Sequence, residues 1–126
     1  MPRNRNVVAV IDDNLSILGA LARLLSALGY DTELYVSAEE FLIASLTTEA
    51  ICLLVDVELG ESSGIEFAQR LTEAGFTIPF IFMTANRNES LKARAMQIGC
   101  IDFLVKPFSA DVLREALLKL PPSGRL

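Results

Sequence analysis

Three short apolar runs, each closed by a polar residue, constrain this chain more than any other feature. Residues 7–11 are Val-Val-Ala-Val-Ile and stop at Asp12 and Asp13; residues 51–55 stop at Asp56; residues 78–83 stop at Thr84. Runs this short, β-branched-rich and without polar alternation read as strands buried on both faces, which occur in parallel sheets covered by helices. Two further strands complete the pattern. Residues 31–35 are more polar and are predicted at an edge, and residues 102–105 run into Lys106 and Pro107.

Between the runs the periodicity changes from strand-like to helical. Ile17, Leu21, Leu24, Leu25 and Leu28 form one helical stripe that ends before Gly29. Ser37 with Glu40 reads as a capping box opening a short helix through Phe41 and Leu42. A loop over residues 58–63 leads past Gly64 into a third helix, with Phe67, Leu71 and Ala74 on one face. The fourth carries Leu91, Ala95 and Ile98 and closes at Gly99; Glu89, Lys92 and Arg94 read as its solvated side. Ser109 caps the fifth, whose stripe of Leu113, Ala116, Leu117 and Leu120 is stopped by Pro121 and Pro122. Five strands alternating with five helices predict an α/β, three-layer doubly wound fold with a parallel sheet of flavodoxin-like order 2-1-3-4-5.

The length of 126 residues fits one domain, with a core over about residues 7–120 and a tail or linker start at 121–126. Arg3 and Arg5 precede the core and are expected to be unstructured. The chain contains no histidine. That excludes Ser-His-Asp and Cys-His couples, His-ligated zinc and a histidine general base. The net charge of −5 argues against direct nucleic-acid binding. Cys52 and Cys100 sit in apolar surroundings and read as free core thiols of a reducing compartment. The apolar run after the basic start is too short for a signal-peptide core, and no later stretch approaches a membrane span, so a cytoplasmic protein is expected.

In an open parallel sheet the carboxyl ends of the strands share one edge, and ligands bind there at the switch point between strands one and three. Those strands carry Asp12, Asp13 and Asp56. Taken singly, an aspartate after a strand is a turn or cap residue; three in one crevice repel each other and suit a hard divalent cation held by oxygen, with Mg²⁺ the natural candidate. Lys106 and Thr84, ending strands five and four, could hold the remaining oxygens of a tetrahedral anion. No glycine-rich phosphate loop follows the first strand, which demotes nucleotide and flavin binding.

The ordered set Asp12-Asp13, Asp56 with Gly64 eight positions on, Thr84-Ala85, and Asp102-Phe103-Leu104-Val105-Lys106-Pro107-Phe108 resembles the receiver domain of bacterial two-component response regulators. The resemblance covers roughly residues 7–120, and within the family it is most similar to receivers that often precede a helix-turn-helix output domain. It implies that Asp56 accepts a phosphoryl group from a sensor histidine kinase or histidine phosphotransfer protein. It further implies that Asp12, Asp13, Asp56 and the backbone carbonyl of Glu58 hold Mg²⁺, with Mn²⁺ possible. Lys106 would contact a phosphoryl oxygen, Thr84 and Phe103 would switch on activation, and the Lys106-Pro107 bond would be cis. The switched surface, also a potential homodimer contact, would be helix four, strand five and helix five. No membrane is expected to take part.

Two positions depart from the family pattern. Proline commonly stands four residues after the phosphoacceptor; here it is Gly60, which predicts a more mobile loop. Glu58 and Asn86 stand two residues after Asp56 and Thr84, positions from which they would set the lifetime of the phosphoryl group. Two other readings stand beside the receiver: a Mg²⁺-dependent aspartyl phosphohydrolase with Glu58 as acid-base group, and a degenerate receiver acting as a constitutive binding module.

Overall fold

The computed structural model describes residues 6–60 and 62–121; Arg3, Arg5, Glu61 and the tail from Pro122 onward lie outside the described residues. In chain order the elements are β1 (Val7–Ile11), α1 (Leu15–Ala27), β2 (Asp31–Tyr35), α2 (Ala38–Ala44), β3 (Ala50–Asp56), β4 (Glu58–Leu59), β5 (Ser62–Ser63), α3 (Gly64–Glu73), β6 (Phe80–Thr84), α4 (Glu89–Ile98), β7 (Asp102–Val105) and α5 (Ala110–Leu118). Five strands form one parallel sheet in the order β2-β1-β3-β6-β7, the expected flavodoxin-like order once the short β4-β5 pair is set aside.

The strands form where the sequence places its apolar runs because alternate side chains supply both faces. Val8, Val10, Cys52, Leu54, Ile81, Met83 and Leu104 meet α1 and α5 on one side. Ala9, Ile11, Leu53, Val55, Phe80 and Phe82 meet α2, α3 and α4 on the other. On that second side Phe41 is fully buried and makes edge-on contacts with Tyr35, Phe67 and Phe76, at centroid distances of 5.4, 6.1 and 5.8 Å. Both cysteines are free and buried, and burial pushes the Cys52 thiol up to about 12. No helix among the described residues is long and apolar enough to cross a membrane.

The helix ends follow their capping chemistry. Asn14, Ser37, Ser63, Asn88 and Ser109 each accept a backbone N–H of the following first turn. Gly99 closes α4 in the left-handed conformation at φ +97°. At α2 the reciprocal arm of the capping box differs from the simplest form: the Val36 N–H, not that of Ser37, donates to Glu40 at 3.1 Å.

Several expectations need correction. β3 takes in Ala50 and Asp56, so the strand runs one residue further at each end than residues 51–55, with Asp56 its last residue. β6 starts at Phe80 and includes Thr84: Pro79 has no N–H for the ladder, although its carbonyl accepts from Leu53 at 2.9 Å. The segment read as a loop after Asp56 pairs as the antiparallel hairpin β4-β5, Glu58 opposite Ser63 and Leu59 opposite Ser62. Ala74 is exposed because α3 stops at Glu73 and the chain turns through Gly75; the buried face is Ile65, Phe67, Ala68 and Leu71. Leu18 joins the buried stripe of α1 although the spacing from Ile17 passed over it.

Candidate functional site

The carboxyl edge of the sheet brings Asp12, Asp13, Asp56, Thr84 and Lys106 together. Each arrives there by continuation of a strand. The Asp12 N–H extends the β1 ladder by donating to the Tyr35 carbonyl at 3.1 Å, and the Lys106 N–H donates to the Thr84 carbonyl at 2.7 Å. Asp12 and Thr84 are fully buried, Asp56 is 4% exposed, and Asp13 faces solvent.

Lys106 bridges the two buried carboxylates, its Nζ donating to Asp12 Oδ2 at 3.1 Å and to Asp56 Oδ2 at 3.2 Å. The second oxygens are held by backbone: Asn14 N–H donates to Asp12 Oδ1 at 2.9 Å and Glu58 N–H to Asp56 Oδ1 at 3.1 Å. One ammonium between two buried anions leaves excess negative charge. Ligand oxygens of Asp12, Asp13 and Asp56 lie within 4.8 Å of one another, a donor set of carboxylate oxygens that fits a hard divalent cation.

The charges feed back on protonation. Burial pushes Asp56 up from 3.8 to about 6, and the Asp12 charge adds to this, while the Glu58 N–H and Lys106 oppose it. For Lys106 burial alone would lower the pKa, but its contacts with Asp12 and Asp56 outweigh that and hold it raised. It is therefore a fixed cation at any ordinary pH.

Glycine shapes the wall of the site at two places. A Cβ on Gly64 would stand 2.1 Å from the Asp56 carbonyl oxygen, so this position admits no side chain unless the backbone moves. Its N–H donates to the Val57 carbonyl at 2.7 Å, and the Val57 N–H donates to Met83 at 2.8 Å, tying the start of α3 to β3 and β6. Gly60 turns the β4-β5 hairpin at φ +61°, 3.5 Å from Asp13 Oδ2 as measured from a notional Cβ. Proline, fixed near φ −65°, has no access to that conformation.

Thr84 is engaged on both sides of its hydroxyl. It donates to Glu58 Oε1 at 3.4 Å and accepts the Asn86 N–H at 3.0 Å. The sequence placed Glu58 near the site but gave no sign that its carboxylate reaches across 26 residues to this hydroxyl. Asn14 was also missed; its signal is a cap-forming residue directly after the strand-terminal aspartates. Phe103 is half-buried on β7, opposite Phe82 in register, so it lies on the same sheet face as Thr84. The Lys106-Pro107 bond is cis.

Comparison with known proteins bears on the family and the fold. The family model of the response regulator receiver domain matches residues 8–118. The transcriptional regulatory protein TdiR of Thauera aromatica is 34% identical over 114 residues, covering 90% of this chain and 50% of its own length. The chain thus spans about half the length of the curated relatives it matches. Among solved structures, FixJ-N superimposes with a TM-score of 0.85 at 28% identity, covering 94% of each chain. A response regulator from Burkholderia pseudomallei, solved with a phosphorylated aspartic acid, calcium ion and citrate, superimposes with a TM-score of 0.80 at 26% identity. The match covers 89% of this chain and 66% of that one. By family model, sequence and fold, this chain belongs to the receiver domains of two-component response regulators.

Proposed function

We propose that the chain is a phospho-acceptor switch that takes a phosphoryl group onto Asp56 from a sensor histidine kinase or a histidine phosphotransfer protein. The observation that carries this reading is Lys106 spanning Asp12 and Asp56 at 3.1 and 3.2 Å within a cluster of three carboxylates. An aspartyl phosphate and a cation on a response regulator 26% identical to this chain support it.

Asp56 attacks the phosphorus of the donor phosphohistidine. An O–P bond forms, the P–N bond breaks, and its electron pair leaves on the partner's imidazole nitrogen. With its pKa raised to about 6, Asp56 is mostly ionised at neutral pH and ready as a nucleophile. Asp12, Asp13, Asp56 and the Glu58 backbone carbonyl would hold Mg²⁺, or Mn²⁺, which when bound neutralises charge on the phosphoryl oxygens. Lys106 is positioned to hold a further phosphoryl oxygen.

The switch follows from the same contacts. Thr84 would exchange Glu58 for a phosphoryl oxygen, and Phe103, on the same sheet face, would turn inward into the space this opens. Differential contacts of this kind bias a two-state equilibrium and reshape the α4, β7 and α5 surface, which would control an output domain, a partner or a homodimer. We take residues 7–120 as the single receiver unit, acting in the cytoplasm without membrane or direct nucleic-acid contact. Glu58 and Asn86, which share the Thr84 hydroxyl, would set the lifetime of the phosphoryl group.

Intact-mass measurement during incubation with acetyl phosphate and Mg²⁺ tests the reading. One phosphoryl group is expected on the native chain and none on Asp56→Asn; after donor removal, Glu58→Asn and Asn86→Ala should lose the group at altered rates. No gain on the native chain would refute the acceptor role, and unchanged loss rates would refute the lifetime role.

A further inference from the structure

Helices α2, α3 and α4 leave an open groove of about 760 Å³ on their side of the sheet. Its floor is apolar, with Val57, Phe67, Leu71 and Leu91, and Leu42 of α2 forms one wall. Leu42 is 48% exposed, and beside it Ile43 is 85% and Leu46 95% exposed. Three large aliphatic side chains in water, on one seven-residue helix and its exit, beside an apolar groove, mark an interaction surface and not scattered surface hydrophobics.

Charge is sorted along this surface. Because each helix runs antiparallel to the strands, first turns lie at the carboxyl edge of the sheet and last turns at the opposite edge. Glu39 and Glu66 occupy the first turns of α2 and α3; Arg70 sits in the last turn of α3, and Arg94 lies midway along α4. All four line the groove, and none forms an ion pair with another described residue.

A surface acidic at one end, basic at the other and apolar between is self-complementary under a two-fold axis. Half a turn lays the acidic end of each copy on the basic end of the other. A foreign partner would have to carry the reverse polarity by coincidence; a second copy carries it by symmetry. We infer that the occupant is a second copy of this chain, in an isologous dimer in which Ile43 and Leu46 of each copy enter the groove of the other. The groove shares Leu91 and Arg94 of α4 with the switched surface but takes no residue from β7 or α5, and the dimer is assigned to the unphosphorylated chain.

Sedimentation equilibrium of the unphosphorylated chain over a concentration series tests the inference. A reversible monomer–dimer equilibrium is expected. Ile43→Glu with Leu46→Glu should weaken it by at least about tenfold, with far-UV circular dichroism unchanged because both side chains are exposed. Arg70→Glu with Arg94→Glu should weaken it too, and adding Glu39→Arg with Glu66→Arg should restore it, since these four charges are then exchanged end for end under the same axis. A monomer at every concentration would hand the groove to another protein or to the remainder of a longer chain and overturn the inference. A dimer indifferent to Ile43→Glu with Leu46→Glu, or a fourfold charge reversal that fails to restore association, would overturn it equally.

Discussion

In the proposed mechanism Asp56 carries a conflict: it is buried in the folded chain and would have to be ionised to react. Its raised pKa makes that conflict measurable. In the unfolded chain it ionises near 3.8, so between about 3.8 and 6 the unfolded state loses its proton first and native stability falls as pH rises; above about 6 the loss is complete. Above that range the ionised Asp56 is a net cost to the folded state. In metal-free buffer Asp56→Asn is therefore expected to be more stable than the native chain at pH 7, with the difference vanishing below pH 3.8. Urea unfolding at several pH values checks this, and an equal difference at all pH values would refute it. Gly64 gives a second residue-scale prediction. Gly64→Ala drives a Cβ against the Asp56 carbonyl and should cost about 1–3 kcal/mol, whereas Gly19→Ala in α1, where the nearest atom is an Arg23 side-chain nitrogen 3.7 Å away, should cost nothing by the same denaturation assay. Asp12, Asp56, Thr84 and Lys106 were legible in the sequence because strand ends need only be counted to be placed on one edge. The reach of Glu58 to Thr84 was not, because a side-chain rotamer leaves no periodic signature.

At the scale of elements, what the sequence shows clearly is what burial enforces. The central strands β1, β3 and β6 read as apolar runs because both faces are covered, and the helix starts read as Ser and Asn caps because orphan N–H groups need acceptors. Boundaries fared less well where local geometry overrode pattern. α3 ended before Ala74 although the spacing favoured its continuation, and the residues after Asp56 paired into β4-β5, a two-residue ladder too short to show alternation. That hairpin depends on Gly60 at φ +61°. Gly60→Pro, which restores the residue common in the resembling family, is expected here to cost about 1–3 kcal/mol and to abolish the β4-β5 pairing, because proline cannot take that turn. Amide hydrogen exchange at Leu59, together with thermal unfolding, would detect both effects; a variant as stable as the native chain, with Leu59 still protected, would show that the turn does not need glycine.

The whole molecule joins these parts into a device with no histidine of its own. The sheet edge collects the carboxylates and the lysine, the hairpin and Gly64 bound them, and Thr84 with Phe103 lies on the face that leads toward α4. In this account the missing imidazole belongs to the phosphoryl donor, and Asp56 is the group that receives. The most direct measurement locates the modification itself. After incubation with acetyl phosphate and Mg²⁺, reduction with borohydride converts an aspartyl phosphate to homoserine, which peptide mass spectrometry assigns to a residue. Homoserine is expected at position 56; homoserine at Asp12, at Asp13 or nowhere would contradict phosphoryl transfer to Asp56.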